Sequence, residues 1–357
     1  MITDLRLQHF RSYTDASFEL SPSVNIIVGP NASGKTNLLE AVLVVAHGSS
    51  YRATDAELMQ HSASWARLDA DTPHGHRVVK LQESGPGKYA KSFEIDGQPL
   101  ARLLQNRTIP VVLFEPNHLL LLSGSPDLRR GFLDDLLEQT LPGYGATRRH
   151  YRRVLSQRNA LLKRQPHGVH EQLFVWNLRL SELGGRIARE RAALINRFGE
   201  RMSDLYGGLS GQQNNIEVAY SAQFPPDNYE TALLHKLEHN VDNDLARGFT
   251  AYGPHRDDLG VLIDSHPAQE VASRGETRTL VLALKMLELY LLEEIRGSKP
   301  LLLLDDVFSE LDGHRRQALT SFVADYQTFI TTTDADLVVH HFTTSHIIPL
   351  SARGDTN

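Results

Sequence analysis

The chain has 357 residues, of which 41% are hydrophobic, enough for a sizeable core in two domains or in one large domain with an insertion. It contains no cysteine, which excludes disulfides and zinc–thiolate sites, and its net charge of −6 excludes a uniformly basic protein but not a local basic patch. No apolar run reaches the ~20 residues of a membrane span, and the first residues lack the basic and apolar regions of a signal peptide, so a soluble, cytoplasmic protein without a membrane partner is expected.

Residues 2–8 and 16–20 read as short strands with a polar link at Ser12–Asp15. Val24–Val28 is an apolar run between Pro22 and Gly29, the pattern of a buried strand. The apolar-rich stretch Asn37–Val45 predicts a helix. Strands are predicted at 65–70, 77–82 and 90–95, with turns at Ser84–Gly87 and Asp96–Gly97, as an antiparallel layer beside the main sheet. Val111–Phe114 is a further short strand. From Pro126 to Phe249 strand signals give way to helical periodicity rich in arginine, so a helical insertion is expected there. A long helix over about 276–296, an apolar strand at 301–304 and a last strand at 328–332 follow, and the tail from Ser351 is expected to be mobile. The predicted division is residues 1–122 and 251–357 in one lobe, with 123–250 as the inserted helical lobe.

Residues 29–36 read Gly-Pro-Asn-Ala-Ser-Gly-Lys-Thr between a buried strand and a helix. A triphosphate needs many backbone N–H donors pointing inward, and a loop with glycine at both Gly29 and Gly34 can wrap that tightly. The helix that follows adds its positive end. The sequence therefore predicts a phosphate cradle for ATP from Gly29, Pro30, Asn31, Ala32, Ser33, Gly34, Lys35, Thr36 and Asn37. Lys35 is expected to reach the β- and γ-phosphates and the Thr36 hydroxyl to ligate Mg²⁺. Leu301–Leu304 runs into Asp305 and Asp306, which a buried parallel strand would carry at its carboxyl end, where ligands bind in open α/β sheets. Asp305 is expected to hold Mg²⁺ through water, and Asp306 to orient the attacking water. Ser273-Arg-Gly-Glu276 reads as a helix capping box whose free amides, with Ser273, Gly275 and Glu276, are also available to an anion.

Between Gln139 and His170 there is no Asp or Glu. Stepped at ~100° per residue, Arg148, Arg152, Lys163, Arg149, Arg153 and Arg164 fall within an arc of about 160°. Leu161, Val154, Tyr151, Leu162 and Leu155 occupy a separate arc from about 220° to 340°. One amphipathic helix with a basic face is predicted, suited to phosphate backbones, and Arg186, Arg189 and Arg191 are expected to extend it. The histidines form no ligand set. His74 and His76 are expected to be solvated, and His255 is a functional candidate with no assignable role.

The order of phosphate loop, Ser-x-Gly-Glu before a long helix, and an Asp-Asp strand followed by Ser309-Glu-Leu-Asp312 resembles the ABC-type ATPases, and in particular the SMC-like heads of DNA repair. Ser273–Glu276 looks like their signature motif and Ser309–Asp312 like their D-loop. Within that group the chain resembles the RecF family. The resemblance is carried by Leu5–Tyr13, by Gly124-Ser-Pro126 with Arg129-Arg130 and Phe132-Leu-Asp134, by Gly253-Pro-His-Arg-Asp-Asp-Leu259, and by Leu304–Asp312. It implies an α/β fold: a P-loop ABC/SMC-type ATPase head with an antiparallel β layer and an inserted helical lobe. It further implies ATP-dependent homodimerisation on single-stranded or duplex DNA at gaps or junctions, with hydrolysis resetting the dimer. A weak DNA-stimulated ATPase, Arg11 as a further nucleotide contact, and action with RecR and RecO in loading RecA belong to the same expectation. Two departures leave open how the γ-phosphate is sensed. The stretch 111–124 has no Gln, with Glu115 near that place, and Thr331-Thr-Thr-Asp334 has no His. A transporter ATPase subunit is the alternative, weighed against by the arginine-rich insertion. A nuclease would need an added metal–carboxylate domain, and an SMC protein proper long heptad repeats.

Overall fold

The computed structural model describes residues 1–351 apart from 86, 200 and 343; Pro86 of the expected turn and the tail from 352 lie outside the described residues. Strands β1 (Asp4–Phe10), β2 (Tyr13–Glu19) and β3 (Val24–Val28) lead into α1 (Lys35–His47) and the single turn α2 (Asp55–Leu58). Strands β4 (Trp65–Thr72), β5 (Gly75–Gly85), β6 (Lys88–Ile95), β7 (Gln98–Leu100) and β8 (Val111–Phe114) follow. Next come α3 (Pro126–Thr140), α4 (Tyr144–Arg164), α5 (Val169–Gly199), α6 (Met202–Ser210), β9 (Ile216–Ser221), α7 (Tyr229–His239) and α8 (Val241–Arg247). Then β10 (Asp258–Ile263), β11 (His266–Pro267), α9 (Ala268–Val271) and α10 (Arg274–Arg296) precede β12 (Leu301–Asp305), α11 (Val307–Glu310), α12 (Gly313–Val323), β13 (Thr328–Thr332), α13 (Asp336–Val339) and β14 (Ser345–Pro349).

The chain forms two compact units, residues 1–119 with those from 288 onward, and residues 120–287. The first crossing lies close to the expected 122/123 boundary. The second falls inside α10 instead of at 250/251, because β10 pairs antiparallel with β9, Leu259 opposite Tyr220.

In the first unit, β2-β1-β4-β5-β6-β7 make an antiparallel sheet and β14-β3-β13-β12-β8 a parallel one. Helix α1 packs against strands of both sheets. Its residues Leu38–Ala46 are all buried, as a helix apolar on nearly every side requires. One core runs from Leu5, Leu7, Leu68 and Val79 through Leu39 and Val42 to Leu303 and Phe329. The expected antiparallel layer is thus present, with β1 and β2 part of it. Thr328–Thr332 is not the last strand, however: β14 follows and pairs in parallel with β3, Ile347 opposite Ile26.

The second unit is helical, as expected, except for the small sheet β11-β10-β9. Its buried polar side chains answer one another. Arg129 pairs bidentately with Asp258 (2.8 Å). Arg191 holds both oxygens of Asp134 and the Pro254 carbonyl. Asp257, fully buried, accepts from the Tyr220 and Tyr229 hydroxyls at 2.7 and 2.8 Å. Arg158, also fully buried, donates to Asn177, Asp244 and Thr250 at 2.8, 2.8 and 2.7 Å. Replacing it by methionine strands the Asp244 carboxylate without its cation. Arg158→Met is therefore expected to lower stability by about 3–5 kcal/mol, read as a lower urea midpoint; an unchanged midpoint would show that Asp244 finds other partners.

Candidate functional site

The phosphate loop joins β3 to α1 at the carboxyl end of the parallel sheet. Two of its residues take left-handed backbone, Ala32 (φ 65°) and Gly34 (φ 105°), which turns successive N–H groups toward one concavity. A Cβ on Gly34 would lie 2.9 Å from Ser12 Oγ and 3.0 Å from the Tyr13 hydroxyl. A Cβ on Gly29 would lie 2.6 Å from the Leu350 carbonyl and from Ser33 Oγ. Both glycines are therefore sterically required. No side chain caps the N-terminus of α1 and its first turn holds no acid, so its amides are available to an anion. Lys35 is only 5% exposed, and its ammonium donates to the Gly29 and Pro30 carbonyls at 2.8 and 3.1 Å. Ser33 Oγ is buried without a hydrogen-bond partner, a donor left over for a phosphate oxygen. Asn31 and Ala32 stand exposed at the rim, with Pro30, while Asn37 donates to Ser12 Oγ at 2.9 Å.

Strand β12 lies between β13 and β8, and its parallel register sets Asp305 beside Thr331. Asp305 Oδ1 accepts from Thr36 Oγ1 (3.0 Å) and Thr331 Oγ1 (2.7 Å), and the Tyr51 hydroxyl reaches Oδ2 at 3.5 Å. The pairing of Thr36 with Asp305, two oxygen donors from opposite ends of the chain, fits a hard cation such as Mg²⁺. No group of three or more His, Cys, Asp or Glu side chains that could hold a metal ion is found among the described residues, so such a cation would take its other ligands from phosphate and water. Asp306 sits at φ 53°, its amide held by Thr331 Oγ1 at 2.9 Å. Its carboxyl accepts no hydrogen bond among the described residues. Burial and the Asp305 charge raise its pKa, with Lys35 opposing. Ser309 Oγ donates to the Asp306 carbonyl, and Asp312 caps α12 through the Arg315 amide.

Arg11 forms a bidentate pair with Glu40 of α1, at 2.7 and 2.9 Å, and Arg52 reaches the same fully buried carboxylate at 3.3 Å. Two of the five guanidinium donors of Arg11 are thus engaged. Ser273 and Glu276 form the expected reciprocal cap: Glu276 accepts from the Ser273 amide at 2.8 Å and Ser273 Oγ accepts from the Glu276 amide at 3.2 Å. Both lie in the second unit, with Gly275 between them in the first turn of α10.

On α4, Arg149, Arg152, Arg153, Lys163 and Arg164 are exposed and carry no ion pair among the described residues. Arg148 differs from the expectation. It is tied to Asp134, Asp135 and Glu138 at 2.9–3.0 Å and belongs to the packing of α3 on α4. Arg191 is likewise buried and does not extend the basic face, whereas Arg186 and Arg189 are exposed. The position of Arg158 was legible: at ~100° per residue it falls at about 280°, inside the apolar arc. His255 is held by the Tyr151 hydroxyl (2.7 Å) and the Thr250 carbonyl (3.2 Å). Burial lowers its pKa to about 4, so it is a neutral packing histidine. His76 is not simply solvated: it pairs with Asp71 at 2.7 Å and Asp69 at 3.4 Å, and the Asp71 bond raises its pKa. A cavity of about 660 Å³ on that face of the antiparallel sheet is lined by Arg6, Arg67, Asp69, Asp71 and His76. Those charges are matched within the sheet, so it does not compete with the phosphate loop as the candidate site. The contacts of Thr331 and Tyr51 with Asp305 are not legible in the sequence, since only the strand register and the turn after α1 bring them there.

Residues 1–349 match the model of the family described as RecF/RecN/SMC N terminal domain. A DNA replication and repair protein RecF of Heliobacterium modesticaldum (strain ATCC 51547 / Ice1) is 37% identical over 343 residues, covering 93% of this chain and 92% of that one. Its counterpart in Synechococcus sp. (strain JA-3-3Ab) is 37% identical over 342 residues, covering 92% and 90%. The solved structure of the recombination mediator protein RecF-ATPrS in the RecFOR pathway superposes with a TM-score of 0.86 at 27% identity, over 98% of this chain and 97% of that one. A SmcHead bound to the C-winged helix domain of ScpA superposes at 0.53 and 16% identity over 98% and 94%, a likeness of fold alone. Among the described residues no helix is long and apolar enough to cross a membrane.

Proposed function

The chain belongs to the RecF/RecN/SMC N-terminal domain family, and from that membership we propose that it is an ATP-dependent DNA-binding protein of recombinational repair and replication restart. The observation that carries this is the phosphate cradle closed by the Thr36–Asp305 pair. Relatives bear the name DNA replication and repair protein RecF, and a solved neighbour is described as RecF-ATP. A transporter subunit is not favoured by any of these likenesses.

In this reading the loop amides, Lys35 and Ser33 bind the β- and γ-phosphates of ATP. A Mg²⁺ held by Thr36 and Asp305 would neutralise phosphate charge. Asp306, whose carboxyl accepts no hydrogen bond among the described residues, orients the attacking water. Ser273 and the α10 amides of a second copy complete each nucleotide site, giving two composite sites about a two-fold axis, so ATP favours the dimer by mass action. The exposed cations of α4 contact DNA backbones at gaps or junctions, and DNA stimulates a weak ATPase whose turnover resets the dimer. The RecFOR description of the neighbour supports action with RecR and RecO, and help in loading RecA is the further step of this reading.

The test is sedimentation with ATP of two variants at one position. Ser273→Arg places a long cation at the composite site and removes the cap, costing about 0.5–2 kcal/mol. Ser273→Asp keeps a capping acceptor but sets a carboxylate against phosphate. Both are expected to bind ATP as monomers and to fail to dimerise. Dimerisation by Ser273→Asp would reduce Ser273 to a helix cap and overturn the composite site.

A further inference from the structure

Helix α8 ends at Gly248, whose left-handed backbone (φ 72°) turns the chain back along α4. Thr250 is then anchored to α4: its amide and hydroxyl donate to Asn159 at 2.8 and 2.7 Å, and its hydroxyl accepts from Arg158. Between these fixed points Phe249 stays 40% exposed. Gly248 lies against α4 so closely that a Cβ there would be 3.5 Å from Lys163 Cγ. The Arg256 guanidinium lies over the Phe249 ring, 5.3 Å from its centroid. Arg256 and Arg247 are exposed and hold no ion pair among the described residues. The buried acids nearby are engaged elsewhere, Asp244 on Arg158 and Asp257 on two tyrosines, while the exposed Asp242 lies 3.9 Å from His170.

An exposed aromatic ring with unpaired cations around it, at the end of a basic helix face, matches the chemistry of a nucleobase and its phosphate. We propose that Phe249 and Arg256 form a stacking site for an unpaired nucleobase beside the basic face of α4. The base stacks on the ring and the guanidinium, and Lys163 and Arg247 meet the flanking phosphates. Bases inside a duplex are stacked on one another and cannot enter, so the site reads a gap or a frayed end. The proposal rests on the DNA-binding reading above and adds to it the feature of DNA that is selected.

The experiment compares a blunt duplex with the same duplex carrying a short gap, the fluorescent adenine analogue aminopurine being placed in the gap. Phe249→Ala is expected to lower affinity for the gapped DNA about tenfold, with the blunt duplex changed less than about twofold. It should also abolish the quenching of aminopurine expected with the wild-type chain, while Phe249→Trp retains both. Equal loss on the two DNAs, or unaltered quenching in Phe249→Ala, would overturn the stacking site. Arg152→Glu separates the two levels of the argument, because it should weaken both DNAs alike. A wild-type chain that binds neither DNA refutes the DNA-binding reading and the stacking site together, whereas one that binds both without quenching refutes only the stacking site.

Discussion

Asp306→Asn is expected to bind ATP as the parent does and to hydrolyse it about 10²- to 10⁴-fold more slowly, the range for loss of a positioned acid–base group. Asparagine preserves shape and tolerates the left-handed backbone at this position better than most residues, so the change falls on the carboxylate alone. That carboxylate accepts no hydrogen bond among the described residues, while its neighbour Asp305 is engaged by Thr36 and Thr331. The two acids are therefore not equivalent. Asp305 is built into the sheet end and Asp306 is poised beyond it. The ATP-bound dimer should accumulate in the variant, visible as a larger species in light scattering with ATP. Turnover at the parental rate would move the role to another carboxylate, with Glu115 or Glu310 next to be tested.

Lys35→Arg is expected to abolish measurable hydrolysis, a loss of at least about 100-fold, with the melting temperature preserved. The ammonium here is a compact donor, 5% exposed and seated on the Gly29 and Pro30 carbonyls within the turn of the loop. A guanidinium keeps the charge but spreads it over a planar fork that does not fit between those carbonyls and two phosphates. Turnover by a folded variant, measured as released phosphate, would remove the loop from the catalytic site. Fluorescent-nucleotide binding supplies the second readout and separates lost binding from lost chemistry.

The phosphate loop was legible because its chemistry is local. Gly29, Gly34, Lys35 and Thr36 lie within one strand–turn–helix whose turn is written in eight consecutive residues, whereas the meeting of Thr36 with Asp305 comes only from the fold. The cap of Ser273 with Glu276, the strands at 24–28, 111–114 and 328–332, and the helix through 276–296 were legible for the same reason. Capping geometry and burial period both depend on neighbours a few residues apart.

Other features depend on long-range pairing, which no local pattern encodes. Ser345–Pro349 is a short stretch with polar flanks, and it becomes a strand because β3 offers an open parallel edge. Ile216–Ser221 sits among helices and is recruited by β10. Residues 251–287 belong with the second unit because Asp257, Asp258 and the Pro254 carbonyl satisfy tyrosines and arginines drawn from α3, α5, α7 and β9.

The basic helix shows where the line falls. Its sequence determined the helix itself and an arc crowded with cations. Which cations are free was decided by tertiary structure, for Arg148 meets three carboxylates, two of them on adjacent residues of α3. Arg191, on another helix, is likewise consumed by Asp134. A charge written in the sequence becomes a binding group only if folding brings it no partner. That depends on which elements pack together, because burying an unpaired cation costs far more than leaving it in water.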